Sequence, residues 1–151
     1  SQTVVVMPEK PGRDDVETLL TLMGRMGEST GYPATRVEVS GPGQLGAMKD
    51  KDLLLIGAAP NQRLLETWSD RLPAVIQGTQ RHISQPARPA NFLYDGFGAP
   101  RDARAATRER IDGAGPLAAL LGFESPLSAG RSVVAVTAGE ARDMAQVLDA
   151  L

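Results

Sequence analysis

Gly27-Glu28-Ser29-Thr30-Gly31 fits the G-x-S-x-G pattern in which serine hydrolases hold their nucleophile. That chemistry needs a sharp turn from a strand into a helix, so that the hydroxyl stands clear of the backbone. Here the pentapeptide ends a helical stretch instead. The base would have to be His82, the chain's one histidine, and His82 lies in an irregular segment. Both facts argue against a triad. One histidine and no cysteine also serve a catalytic zinc poorly. Asp50-Lys51-Asp52 reads more simply as a polar turn before a strand than as a metal site. The absence of cysteine excludes disulfides and thiol catalysis, and it fits any compartment.

Two loops could hold an anion. Met7 to Arg13, MPEKPGR, follows the first strand, where an open α/β sheet binds its ligands. A phosphate loop wants Ser, Thr or Gly donors. This loop offers two prolines without N–H groups and a glutamate that repels phosphate, although Lys10 and Arg13 are cationic. Gly57 to Asn61, GAAPN, could present a helix N-terminus to an anion. Its glycine is equally what a tight strand-to-helix turn requires, and we favour that reading. A receiver domain would need an aspartate at the end of the central strand, where Gly57 stands. Phe92, Tyr94 and Phe97 cluster further on. They could form a surface for sugar or for another domain. We favour the plainer reading, that they pin a long segment to the core. Arginines outnumber acids between Arg81 and Arg110, which reads as a solvated helix face rather than a site for an acidic partner.

The elements that must position these groups follow from periodicity. Thr3 to Met7 and Asp52 to Ile56 read as buried strands. Val37 and Val39 alternate with polar residues, as in a half-exposed edge strand. Val16, Leu19, Leu20, Met23 and Met26 mark one face of a helix of about three turns, capped by Asp14 with Glu17 three residues on as a box-like start, and ended by Gly27 and Gly31. Leu45 to Lys49 suggests a short helix. Leu64, Leu65, Trp68 and Leu72 follow Asn61 as N-cap. Pro73 to Pro116 breaks this rhythm, with a brief strand at Val75 and Ile76 and a helix at Asp102 to Ile111. A loop this long is usually functional or disordered. The runs Leu117 to Phe123 and Val133 to Thr137 are separated by too few residues for a crossover helix, so they pair antiparallel if they pair directly. A capping box, Thr137 and Glu140, opens a last helix buried through Met144, Ala145, Val147, Leu148 and Leu151.

Composition bounds the rest. The 151 residues are 42% hydrophobic and 23% charged, with a net charge of −2. That suits one domain with a real core and argues against nucleic-acid binding. No apolar run reaches the roughly 18 residues needed to span a bilayer. The chain opens at Ser1-Gln2 on a strand and closes at Leu151 in an apparent helix, which reads as a domain cut from a longer protein. The expectation is one domain, residues 1–151, with an irregular insertion over 77–112.

GFESPLSAGRSVVAVTA (Gly122 to Ala138), and less specifically DLLLIGAAPNQRLLETW (Asp52 to Trp68) with Leu72-Pro73, resembles the flavodoxin-like domains of the periplasmic, regulatory subunit of bacterial cellulose synthase. The likeness runs over most of the chain. It is most specific at Phe123, Ser125, Pro126 and Arg131 to Ala135, and weak over 73–115. By position the hairpin most resembles the second flavodoxin-like domain. The resemblance implies a three-layer α/β/α fold with a mostly parallel sheet and a C-terminal antiparallel hairpin. It implies no catalytic motif and no cofactor. It also implies a longer periplasmic protein, in which such domains alternate with carbohydrate-binding domains and a C-terminal helix anchors the whole in the inner membrane. That protein pairs with the catalytic, glucan-extruding subunit of cellulose synthase and guides nascent β-1,4-glucan. Contact with the membrane would be through the parent protein only. The family is often labelled as binding cyclic di-GMP, although the catalytic subunit senses that nucleotide. Phe123, Ser125, Pro126 and Arg131 read as architecture, with Arg131 a cation tying the hairpin to its surroundings. The alternative is a flavodoxin-like module that binds a nucleotide or flavin.

Overall fold

The computed structural model describes residues 3–33, 37–73, 75–77, 80–82 and 117–149. Thr3–Val6 is strand β1, Arg13–Thr30 helix α1, Glu38–Ser40 β2, Asp52–Ile56 β3 and Arg63–Thr67 α2. Val75–Gln77 is β4, Gln80–His82 β5, Ala118–Glu124 β6, Ser132–Ala138 β7 and Met144–Asp149 α3. The main sheet has the order β2-β1-β3-β7-β6. β1, β2, β3 and β7 run parallel, and β6 pairs antiparallel with β7 from Ala118↔Ala138 to Glu124↔Ser132. This is the flavodoxin-like mixed sheet, with its hairpin at the C-terminal end. β4 and β5 form a separate antiparallel pair. Residues 80–82 are therefore a paired strand, where the sequence reading placed only irregular chain.

Alternation along the strands divides the core between the two faces. Val5, Ile56, Val136 and Ala138 meet Leu22 of α1 and Met144 and Val147 of α3. Val4, Val6, Leu53, Leu55, Leu121, Val133 and Ala135 meet Leu64, Leu65, Trp68, Leu72 and Met48 on the other side. The result is three layers, as the resemblance implied.

Several local expectations are corrected. α1 is 18 residues long, not about three turns, and Gly24 and Gly27 lie inside it. Its N-cap is Gly12, whose N–H donates to Asp15 Oδ2 at 2.8 Å, so Asp15 serves where Asp14 and Glu17 were expected. The helix buries Asp15, Thr18 and Leu22, while Val16, Leu20 and Met26 of the expected apolar face are exposed. The short helix expected at Leu45 to Lys49 is a 3-10 helix that starts earlier, at Pro42, and ends at Met48. α2 starts one residue later than its expected cap allows, with Gln62 rather than Asn61 in the N-cap position. Thr137 is no cap. It lies in β7, held there by pairing with Ala119, and Glu140 precedes a 3-10 turn over Ala141–Asp143.

Candidate functional site

In an open α/β sheet the ligand corner lies at the carboxyl ends of the strands where the order reverses. Here that is between β1 and β3, beneath the loops 7–12 and 57–62. The chain's own atoms fill this corner. Gly57 has φ +139, a conformation that L side chains rarely adopt. A Cβ there would stand 2.7 Å from Pro8 Cγ and 3.4 Å from Gln62 Cβ. Pro8 is buried and Gln62 fully so. The Gln62 amide donates to Val6 O at 3.1 Å and to Ile56 O at 2.9 Å, joining the ends of β1 and β3. Above them, Arg63 pairs with Glu9 at 3.1 Å across the two loops.

Several backbone donors of the second loop are engaged as well. Gly57 N–H donates to Val136 O, Ala59 N–H to Ala138 O, and the N–H groups of Asn61 and Gln62 both donate to Ala58 O, all within 2.9–3.2 Å. Pro8, Pro11 and Pro60 have no N–H to offer. Lys10 and Arg13 are exposed, and Arg13 pairs with Glu17 at 4.0 Å. Sequence reasoning missed Gln62. Its one legible signal was a polar residue set between a strand-end glycine and the apolar pair Leu64-Leu65.

The residues on which the resemblance was most specific lie in and around the hairpin. Ser125 N–H donates to Arg131 O at 2.7 Å and Ser125 Oγ accepts from Leu127 N–H, so a buried serine closes the β6–β7 connection. Pro126 lies within this turn, half-buried. Gly130, at φ +77, donates to Glu124 Oε1. Phe123 packs edge-on against Trp68, with ring centroids 6.3 Å apart. Arg131 Nη1 is 3.6 Å from Asp52 Oδ2 in β3, and Asp52 Oδ1 accepts from Ser132 N–H at 2.9 Å. One carboxylate thus joins β3 to the start of β7.

The other candidates do not assemble. Ser29 is exposed in the last turn of α1 and donates to Met26 O, so it has no nucleophile elbow. Among the described residues no cluster of acidic or histidine side chains could hold a metal ion, and no helix is long and apolar enough to cross a membrane. Phe92, Tyr94 and Phe97, and the helix expected at Asp102 to Ile111, lie outside the described residues.

Topology and corner together define the class: a flavodoxin-like α/β domain whose ligand corner is packed shut. Sequence comparison supplies the particular family. The model described as "Cellulose synthase BcsB, second FD domain" matches residues 1–136, and the chain belongs to that family. It is 37% identical to a "Cyclic di-GMP-binding protein" of Pseudomonas fluorescens and 35% identical to one of Escherichia coli K12, in each case over all of this chain. It is 31% identical to "Cellulose synthase 1" of Komagataeibacter xylinus, again over its whole length. The chain spans about a fifth of the first relatives, 20% and 19%, and 10% of the Komagataeibacter protein.

Proposed function

We propose that this chain is a non-catalytic structural and interaction domain of a periplasmic component of cellulose synthase. In this reading it is one domain of a longer protein anchored in the bacterial inner membrane. It packs on neighbouring carbohydrate-binding domains and, with the catalytic subunit, helps guide nascent β-1,4-glucan across the periplasm. Family membership supports the setting. The observation that carries the non-catalytic role is the filled corner. Pro8, Gly57 and Gln62 pack together at the strand ends, where such sheets bind ligands, and several loop amides bond within the protein. The work of such a domain then falls to its outer surfaces and to the hairpin that braces it.

The relatives' name makes a nucleotide the reading to test against. Calorimetric titration of this chain with cyclic di-GMP and with FMN should give no binding at micromolar concentrations. Micromolar binding that Lys10→Ala or Arg13→Ala abolishes would overturn the reading in favour of a small-molecule module. In membrane vesicles holding the full-length protein together with the catalytic subunit, deleting this domain should abolish glucan synthesis, whereas Lys10→Ala should leave it unchanged. Cello-oligosaccharide titration of the wild type and Tyr94→Ala tests whether Phe92, Tyr94 and Phe97 touch glucan.

A further inference from the structure

The outer face of α1 is complementary to itself. The helix buries Asp15, Thr18 and Leu22 against the sheet side. Helical spacing then places Arg13, Val16, Leu20, Gly24 and Gly27 along the opposite side. Leu20 is 66% exposed and Val16 43% exposed. They are four residues apart and so adjacent on the surface. A shallow groove of about 450 Å³ runs beside them from Pro11 to Thr21, lined by Arg13, Val16, Glu17 and Leu20. One turn further on, a Cβ on Gly24 would meet nothing within 4 Å. Glycine disfavours an exposed helix interior, and among the described residues no atom crowds this one.

Two charges stand against the helix's own dipole. Arg13 is in the first turn, at the positive end, and Glu28 is in the last turn, at the negative end, with no basic residue beside it there. Among the described residues Arg13 pairs only with Glu17, at 4.0 Å. Asp14 lies further round the helix, about 100° from the centre of this face.

A second α1 laid antiparallel across the face answers each feature. With the two-fold axis beside residue 21, each Leu20 enters the space between Leu20 and Gly24 of the other copy, as a knob enters a hole. The groove at the start of one helix receives Gly24 and Gly27 of the other. Arg13 of each copy comes opposite Glu28 of the other, so each charge meets the dipole end that favours it. One patch serves both copies, as an isologous contact requires. We propose that α1 is a self-association face, through which two copies of this chain pair with their α1 helices antiparallel, Leu20 packed at Gly24 and Arg13 paired with Glu28. The pairing does not depend on a role in glucan synthesis.

A single helix pair is small beside the roughly 1,200–2,000 Å² of stable interfaces, so the dimer is weak and is measured at high concentration. Sedimentation equilibrium of this chain from about 10 μM to about 1 mM should show a monomer–dimer equilibrium. Leu20→Asp, at an exposed position, should weaken it by about tenfold or more. Gly24→Leu should weaken it similarly while raising the urea midpoint of the monomer, since leucine is the better helix former. Arg13→Glu and Glu28→Arg should each weaken it about fivefold, and the two together should restore it to within about twofold of the wild type. Within one chain the two positions are about 22 Å apart along the helix, beyond the screening length at physiological salt, so only a second copy lets one change compensate the other. Absence of association up to about 1 mM would overturn the proposal. Association that Leu20→Asp leaves unchanged would overturn it in favour of another surface. Losses that simply add in the double charge variant would overturn it as well. The chain has no native cysteine, so Leu20→Cys reports access to the face. Shielding of that thiol from maleimide in a full-length protein dilute enough to be monomeric would overturn the proposal in favour of a neighbouring domain.

Discussion

Gly57→Ala is the sharpest probe of the filled corner. Two costs add at this position. The first is the backbone: at φ +139 a non-glycine residue is strained by about 1–3 kcal/mol. The second is steric. The new methyl would sit 2.7 Å from Pro8 Cγ, closer than carbon atoms approach, and Pro8 is a rigid ring in a buried position. Overpacking of this kind costs about 1–3 kcal/mol. The sum, about 2–6 kcal/mol, is a large share of the roughly 5–15 kcal/mol that keeps a domain folded. Urea denaturation reads it directly, because Trp68 is the chain's one tryptophan and is buried against Phe123. With a slope of about 2 kcal/mol per molar urea, a loss of about 4 kcal/mol moves the midpoint down by roughly 2 M. Gly122→Ala, where nothing lies within 4 Å, is the control and should move it little.

The two costs can be separated. In a Pro8→Ala background the ring is gone but the dihedral is not, so Gly57→Ala should cost only its strain. The coupling between the two changes should then be about 1–3 kcal/mol, within the range for residues in contact. A cost below about 1 kcal/mol for Gly57→Ala, or an equal cost in both backgrounds, would refute the view that Pro8 closes this corner against Gly57.

Two further changes test the corner and the hairpin. Gln62→Leu keeps the bulk but leaves Val6 O and Ile56 O without the amide that bonds both. An unsatisfied buried acceptor costs about 1–3 kcal/mol, so a loss of about 2–4 kcal/mol is expected, and thermal melts should fall by roughly 5–15 °C. Arg131→Ala removes a partly exposed ion pair to Asp52, so its effect should be under about 1 kcal/mol and should shrink further in high salt. Asp52→Ala should cost about 1 kcal/mol more than Arg131→Ala, because Ser132 N–H also loses its acceptor. Equal effects in urea melts would mean that the carboxylate does not join the two strands.

The sheet was legible because its strands are written in runs such as Thr3 to Met7 and Asp52 to Ile56, whose branched and aliphatic side chains fit only a buried strand. The hairpin was legible from loop length alone. What could not be read were positions whose meaning lies across the sheet. Gln62 has the composition of a surface residue, and only two carbonyls from strands that are 56 and 6 residues away explain its burial. Asp15 looks like one of two interchangeable acids until its carboxylate is seen to reach Gly12. Gly27 reads as a helix stop, since glycine costs about 1 kcal/mol against alanine, yet α1 runs through it to Thr30 and ends at the other expected stop, Gly31. The aromatic trio and its long segment fall outside the described residues, so the sequence reading there stands alone. These misses share a cause with the functional argument. Loop composition already argued against a phosphate site, because prolines and a glutamate stood where donors were needed. The structure adds the positive side, a proline ring on a glycine and an amide linking two strands. A flavodoxin-like frame is thus kept while Pro8, Gly57 and Gln62 pack together at the corner where such sheets bind ligands.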